Sequence, residues 1–510
     1  MRSRRTLVTA RLRPMDRPGR VRDWMLVEDA RIVALGSGPP PDGLGDGLER
    51  VDLGPHTVLP AFHDAHVHFL RTGLMDIDLD LAGARSYQDV LDLVAREAAT
   101  LEGEVLRAHS FDPDLIAEGR YPTAAELDTI SDTIAIFIKR RDGHSSAANT
   151  KALELLNLPE GMPGVETEGG RPTGVLRGKA HSLAFRKVDD LLTDEERADC
   201  YRRAASRAVE RGIGAVHALV GSAHPGNRDV EVLLEVAQDL PIDVVVYPQF
   251  QDVARVERLG LPRIGGCILL DGSFSSGTAA LGAGYADREG RGNLYFTDDE
   301  LTAFMAGAHS HGLQIAVHAL GDLAIAQAIR CYARAAGTEC RQRRHRIEHC
   351  ELPDGSQLAA IAELGIVVCV QPTFERFWGG PGGMYEARLG AERAGRSNPF
   401  RSMLEAGIRL AGGSDSYVTP MDSLLGIDAA VNRPNGSERL SVFDAVSLFT
   451  SGASWFSFDE ARRGTLEVGK DASFVVLESD PFDVEPGSIK DIPVLGLFVR
   501  GARVTPSGGR

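Results

Sequence analysis

LTAFMAGAHSHG (301–312) running into LQIAVHALGD (313–322) decides the fold: a helical stretch leads directly into an apolar strand that ends in polar residues. The pattern then repeats. RHRIEHCE (344–351) is a strand, SQLAAIAELG (356–365) a helix and IVVCVQPTF (366–374) a strand. FRSMLEAG (400–407) is a helix and IRLAGGSD (408–415) a strand. Such alternation builds βαβ units and a parallel sheet, because parallel neighbours need a crossover. Upstream strand candidates are VLPAFHDAHVHF (58–69), GAVHAL (214–219), IDVVVY (242–247) and GCILLDG (266–272). Together they make eight, which predicts an α/β fold closed as a (β/α)8 TIM-like barrel.

The two chain ends read differently. TLVTARLRP, DWMLVEDARIVALG and RVDLG at the start, and GTLEVGKDASFVVLESDPFD and VLGLFVRGARV at the end, are short strands between Gly, Pro and Asp breaks. Neither end is large enough to bury a core alone. Residues 1–56 and 462–510 are therefore expected to pair as one small β-sandwich built from both termini, beside a barrel over 57–461. An insertion subdomain over 75–205 follows the first barrel strand and carries its own strands, EVLRAHS and TIAIFIKRR.

Composition narrows the function. The net charge of −16 disfavours nucleic acid, whose phosphates need clustered Lys and Arg. No apolar run approaches the roughly 20 residues of a membrane span, and the basic start MRSRRTLVTARLRP lacks a signal peptide's apolar segment. Six scattered cysteines without a CxxC pair read as reduced thiols of a cytoplasmic protein. A homodimer is the expected assembly if there is one.

The chemistry lies at the strand ends. In HDAHVHF, His66 and His68 are two residues apart, so on a strand both imidazoles share a face and can reach one ion. His318, His349 and Asp415 each end an apolar strand, where (β/α)8 enzymes place their catalytic groups. One such residue is more often a cap or a turn former; five metal-ligand types on four strand ends point to a divalent metal. Imidazole ligands suit zinc. His63, His217, His309 and His311 read as structural or surface residues.

These stretches, with YPTAAELDTISD, RRDGHSSAANTKAL, RPTGVLRG, LLDGSFSSGTAAL and NPFRSMLEAGIRLAGGSDSYV, resemble the amidohydrolase superfamily over nearly the whole chain. The likeness is to its YtcJ-like and N-substituted formamide deformylase-like branch. It implies one or two divalent ions. His66 and His68 would bind one and His318 and His349 the second, with Asp415 as both ligand and base. One position departs from the pattern. Relatives usually carry a bridging, carbamylated Lys four residues before the Asp of the DGS segment, where this chain has Cys267. A thiolate ligand and a small buried core residue are the two readings of it.

His144, in RRDGHSS, is the candidate donor for polarising a carbonyl. Asp271 and Ser273, Gln371, and the aromatic group Phe374, Phe377 and Trp378 are candidate contacts for a small-molecule substrate. The Gly-rich GGPGGMYEARLG (379–390) is expected to be mobile over the site. The expected reaction is hydrolysis of an amide, formamide or cyclic amide C–N bond. A heterocycle deaminase is the nearest rival, disfavoured because Gly321 stands where barrel deaminases carry an acid. A non-catalytic binding or regulatory protein on the same scaffold is the third reading.

Overall fold

The computed structural model describes residues 4–506 apart from 43, 45–47, 102, 142, 144 and 225. The chain divides into two compact units, residues 1–70 with 201–510, and residues 71–200.

Eight parallel strands carry the first unit: β1 (Phe62–Val67), β2 (Ile213–Val220), β3 (Asp243–Pro248), β4 (Arg263–Leu269), β5 (Gln314–Ala319), β6 (Arg346–His349), β7 (Val367–Val370) and β8 (Leu410–Gly412). They hydrogen-bond as β3-β2-β1 and as β4-β5-β6-β7-β8. A parallel bridge between Val67 and Ser416 links the β1 and β8 ends. All eight strands expected from the sequence are present, and the fold is the (β/α)8 barrel. β2 and β5 are buried along their whole length, as strands covered on both faces must be. The intervening helices start where local chemistry says they should. Thr297 with Glu300 caps Asp298–Ser310, and Asp354 with Gln357 caps Gly355–Leu364, which stops at Gly365 with φ 70°.

Strands from both chain ends join in one seven-stranded sheet. Phe474–Leu477 pairs antiparallel with the second half of Glu49–Pro60, which also lies parallel to Arg5–Leu12. Val8, Met25, Val27, Ile32, Val58, Phe474 and Val476 form its buried side. Pro60 leads straight into β1, so the sheet and the barrel share a continuous run of chain.

The second unit has a six-stranded mixed sheet in which Val105–Phe111 lies parallel to Ala135–Arg140. Its core gathers Leu106, Phe111, Ile136 and Ile138 with Val90 and Val94 of the helix Tyr87–Thr100. Among the described residues no helix is long and apolar enough to cross a membrane. All six cysteines are free thiols.

Candidate metal centre

The β1 and β8 ends are tied together where the expected ligands emerge. Asp64 Oδ1 accepts from the backbone N–H of both His66 (3.2 Å) and Ser414 (2.9 Å). Asp415 N donates to His66 O at 2.9 Å, and His68 N to Ser416 O at 2.8 Å. The strands come so close that a Cβ on Gly413 would lie 2.5 Å from His66 Cβ. Asp415 and His349 both have positive φ, 56° and 72°. Each costs on the order of 1–3 kcal/mol and aims a side chain that a regular strand would point elsewhere.

The result is a convergent set. His66 Nε2 and His68 Nε2 lie 3.2 and 3.1 Å from the same atom, Asp415 Oδ1. The His349 ring sits 5.0 Å from His66 and 4.6 Å from His318. Cys267 Sγ is 3.5 Å from His318 Nδ1. The donor atoms of His66, His349 and Asp415 lie within 4.8 Å of one another, as do those of His66, His68 and Cys267, and those of Cys267, His318 and His349.

Outer partners fix which nitrogen of each imidazole faces inward. His66 Nδ1 donates to Glu348 Oε2 at 2.7 Å, His349 Nδ1 to Gln371 Oε1 at 2.7 Å, and His318 Nε2 to Gly272 O at 3.2 Å. Each acceptor holds the N–H on the outside and leaves a lone pair directed at the centre. Yet the buried atoms His66 Nε2, His349 Nε2 and Asp415 Oδ1 have no hydrogen-bond partner among the described residues. Leaving three such atoms unsatisfied would cost about 1–3 kcal/mol each. A set of lone pairs with one carboxylate and one thiol fits a divalent cation.

The electrostatics show how strongly these groups are coupled. Burial alone would raise the Asp415 carboxyl, but His66 and His68 hold it well below the usual carboxylate range. Burial would also push the Cys267 thiol up, and His318, His349 and His66 together bring it well below its ordinary value. Burial would depress His318, yet Cys267 and Asp271 lift it to about 9.

Sequence reading missed the support beneath these groups. Glu348 and Arg346 are fully buried and pair through two hydrogen bonds of 2.7 and 2.8 Å. Arg346 also donates to Ala65 O at 2.9 Å and to His217 Nδ1 at 3.0 Å. The signal was available: RIEH alternates, so Arg346 and Glu348 share one face of a strand that is otherwise apolar.

Other expected site residues divide. Gln371, expected as a substrate contact, accepts from His349 Nδ1 through its Oε1. Asp271 is likewise engaged: its oxygens accept from the N–H groups of Ala280 (2.8 Å), Gly321 (2.9 Å) and Leu320 (3.0 Å), which organises the loops. Ser273 Oγ bonds to Ser275 and Ser276 at 3.0 and 2.9 Å within its own turn. Phe374 stacks on His349 at 6.0 Å and Trp378 packs edge-on against Phe374 at 4.8 Å. Both help wall the centre, while Phe377 is 52% exposed beside them. The expected mobile loop is instead anchored. Met384–Leu389 is helical, and the buried Tyr385 hydroxyl donates to Glu351 Oε2 at 2.6 Å. Burial pushes Glu351 up to about 7. His144 lies outside the described residues.

Comparison with known proteins agrees with this architecture. The amidohydrolase family model matches residues 49–505. The putative amidohydrolase YtcJ of Bacillus subtilis is 27% identical over 89% of this chain and 90% of its own length. The N-substituted formamide deformylase of Arthrobacter pascens is 24% identical over 97% of both chains. The crystal structure of an uncharacterized metal-dependent hydrolase from Pyrococcus horikoshii superposes with a TM-score of 0.83 at 26% identity, covering 95% of this chain and 99% of that one. The chain belongs to the amidohydrolase family, as a metal-dependent hydrolase of its YtcJ-like, formamide deformylase-like branch.

Proposed function

We propose that this enzyme hydrolyses a C–N bond of a small amide, formamide or cyclic amide, with His66, His68, His318, His349 and Asp415 holding divalent metal and Asp415 moving the proton. One observation carries the reading. Asp415 Oδ1 lies 3.1–3.2 Å from two imidazole nitrogens and has no hydrogen-bond partner among the described residues, in a side chain only 8% exposed at the mouth of the barrel. When bound, a divalent ion supplies Lewis acidity, polarising a carbonyl and bringing the pKa of a water toward neutrality. Zinc suits this donor set.

Asp415 is kept ionised by His66 and His68, and it is the carboxylate placed to take a proton from water and return it to the departing nitrogen. Phe374, stacked on His349, and Trp378 exclude solvent from one side of the cluster. The formamide deformylase relative supports the choice of bond.

Deamination is the less favoured chemistry. A Cβ at Gly321 would lie 2.1 Å from Ala280 O, so no acidic side chain can stand there. Asp322 is held by Gly282 N at 3.0 Å. The test is a panel of N-substituted formamides, N-acyl amides and cyclic amides, with heterocyclic amines as the contrast, assayed on metal-loaded enzyme. Turnover of at least one amide class is expected, and Asp415→Asn should lower kcat about 10²–10⁴-fold. Full activity in Asp415→Asn, or ammonia release from heterocycles only, overturns the reading.

A further inference from the structure

β4 is the irregular strand of the barrel. Its register against β5 runs Arg263↔Gln314, Ile264↔Ile315 and Gly265↔Ala316, then resumes at Leu269↔His318. Gly266, Cys267 and Ile268 therefore oppose Val317 alone, a bulge that bends the strand. Two glycines make it feasible. Gly265 and Gly266 have φ of +100° and +95°, where L side chains are strained, and a Cβ on either would meet Ala316 O at 2.1 Å or Leu219 Cγ at 2.8 Å. Cys267 is the residue this bulge lifts out of the ladder. One flank of its side chain rests on Leu219, Val245, Tyr247 and Ala316, and its sulfur points into the cluster.

That sulfur belongs to both halves of the centre. With His66 and His68 it forms one group of donors within 4.8 Å, and with His318 and His349 another. The inward nitrogens of His66 and His349, one from each half, are buried without a hydrogen-bond partner among the described residues. Cys369 also lies beside His66, but its other neighbours are Glu348 and Ala65 O (3.6 Å), so it reaches one imidazole where Cys267 reaches four.

We propose that the Cys267 thiolate is a shared ligand of two divalent ions, one held with His66 and His68 and the other with His318 and His349. This deepens the hydrolase reading and rests on its metal centre. On loading, the thiol proton passes to solvent and the sulfur lone pairs bind both ions, so no oxidant and no carbon dioxide is consumed. Metal loading is accordingly independent of bicarbonate, unlike a centre bridged by a carbamylated lysine.

The experiment uses the full chain, stripped by chelation and kept anaerobic, titrated with cobalt(II) with and without bicarbonate. Two equivalents per chain and an intense near-ultraviolet sulfur-to-cobalt charge-transfer band are expected in both conditions. Cys369→Ser should keep the band and both equivalents. Cys267→Ser should lose the band and at least one equivalent. Persistence of the band in Cys267→Ser, or a bicarbonate requirement in the parent protein, overturns the proposal. Should Cys267→Ser fail to fold, X-ray absorption on zinc-loaded Cys369→Ser decides. A sulfur scatterer at about 2.3 Å supports the bridge, and a nitrogen–oxygen shell alone overturns it. Two ions held through sulfur in a protein that cleaves no amide would keep this inference and sink the hydrolase reading. Amide turnover with a sulfur-free metal shell would do the reverse.

Discussion

Two histidine clusters of the barrel, one near each end of its strands, differ in how their nitrogens are used. Near the amino ends of the strands, His345 Nδ1 accepts from Ile315 N at 3.1 Å, its Nε2 meets His309 Nδ1 at 3.0 Å, and His309 Nε2 meets Glu339 at 3.2 Å. Every nitrogen there has a neighbour within the protein. Near the carboxyl ends, the outward nitrogens of His66, His349 and His318 are equally well bonded. The inward nitrogens of His66 and His349 have no hydrogen-bond partner among the described residues. Ring spacing does not separate the clusters, since His309 and His345 lie 5.3 Å apart and His66 and His349 5.0 Å. What sets the upper cluster apart is that the donor atoms of His66, His349 and Asp415, oriented by outer partners, converge within 4.8 Å of one another.

The sharpest way to break this comparison is to remove an orienting group. Glu348→Ala strips the acceptor from His66 Nδ1 and leaves the Arg346 guanidinium buried without its carboxylate. A loss of about 3–5 kcal/mol in stability is expected, together with roughly 10–100-fold weaker metal binding. Denaturant unfolding of the chelated protein and competition titration of the metal measure the two separately. Glu348→Gln refines the result, because its amide oxygen still accepts from His66 while Arg346 stays unpaired. Its metal affinity should therefore recover more than its stability. If both substitutions weaken metal binding equally, Glu348 acts through the fold alone and not through the orientation of His66.

How much of this was legible in the sequence follows from the range of each interaction. The eight strands were readable because burial on both faces leaves continuous apolar runs, as in Ile213–Val220. The candidate ligands were readable because each ends such a run. Partners were not. Gln371 looked like a substrate contact because it is polar and ends β7; that it grips His349 depends on how β6 and β7 are placed side by side. Asp271 looked free for the same reason, and its three amide donors come from residues 9 to 50 positions away. GGPGGMYEARLG looked mobile from its glycines, but Tyr385 locks it through one hydrogen bond to Glu351. The bulge at Cys267 was written as two adjacent glycines, yet a glycine pair has no fixed meaning until the register of its neighbour is known.

The structural cluster makes a prediction of its own, smaller and of a different kind. His345 is buried against Tyr332, with rings 5.3 Å apart. Burial, with His309 and Arg343 nearby, holds it down at about 3. An unfolded histidine takes up its proton at about pH 6.5. Below that, and until pH approaches 3, the unfolded chain binds a proton that the folded chain refuses, so stability falls as pH falls. One group contributes a slope of up to about 1.4 kcal/mol per pH unit. In denaturant unfolding between pH 6 and pH 4, His345→Gln should show a shallower loss than the parent protein. Equal slopes would mean that His345 is not held neutral.

Glu339→Ala is the mildest test and isolates the principle. Its side chain is 66% exposed where it meets His309, so removal should change stability by less than about 1 kcal/mol. Metal stoichiometry and affinity should not move. Glu339 and Glu348 both place a carboxylate against a histidine nitrogen, at 3.2 and 2.7 Å. They differ in what lies on the far side of that ring. His309 passes its other nitrogen to His345, whereas His66 turns its own toward Asp415. A fall in metal affinity on losing Glu339 would show that the lower cluster also binds an ion, and the convergence of donor atoms would then no longer mark the difference between the two.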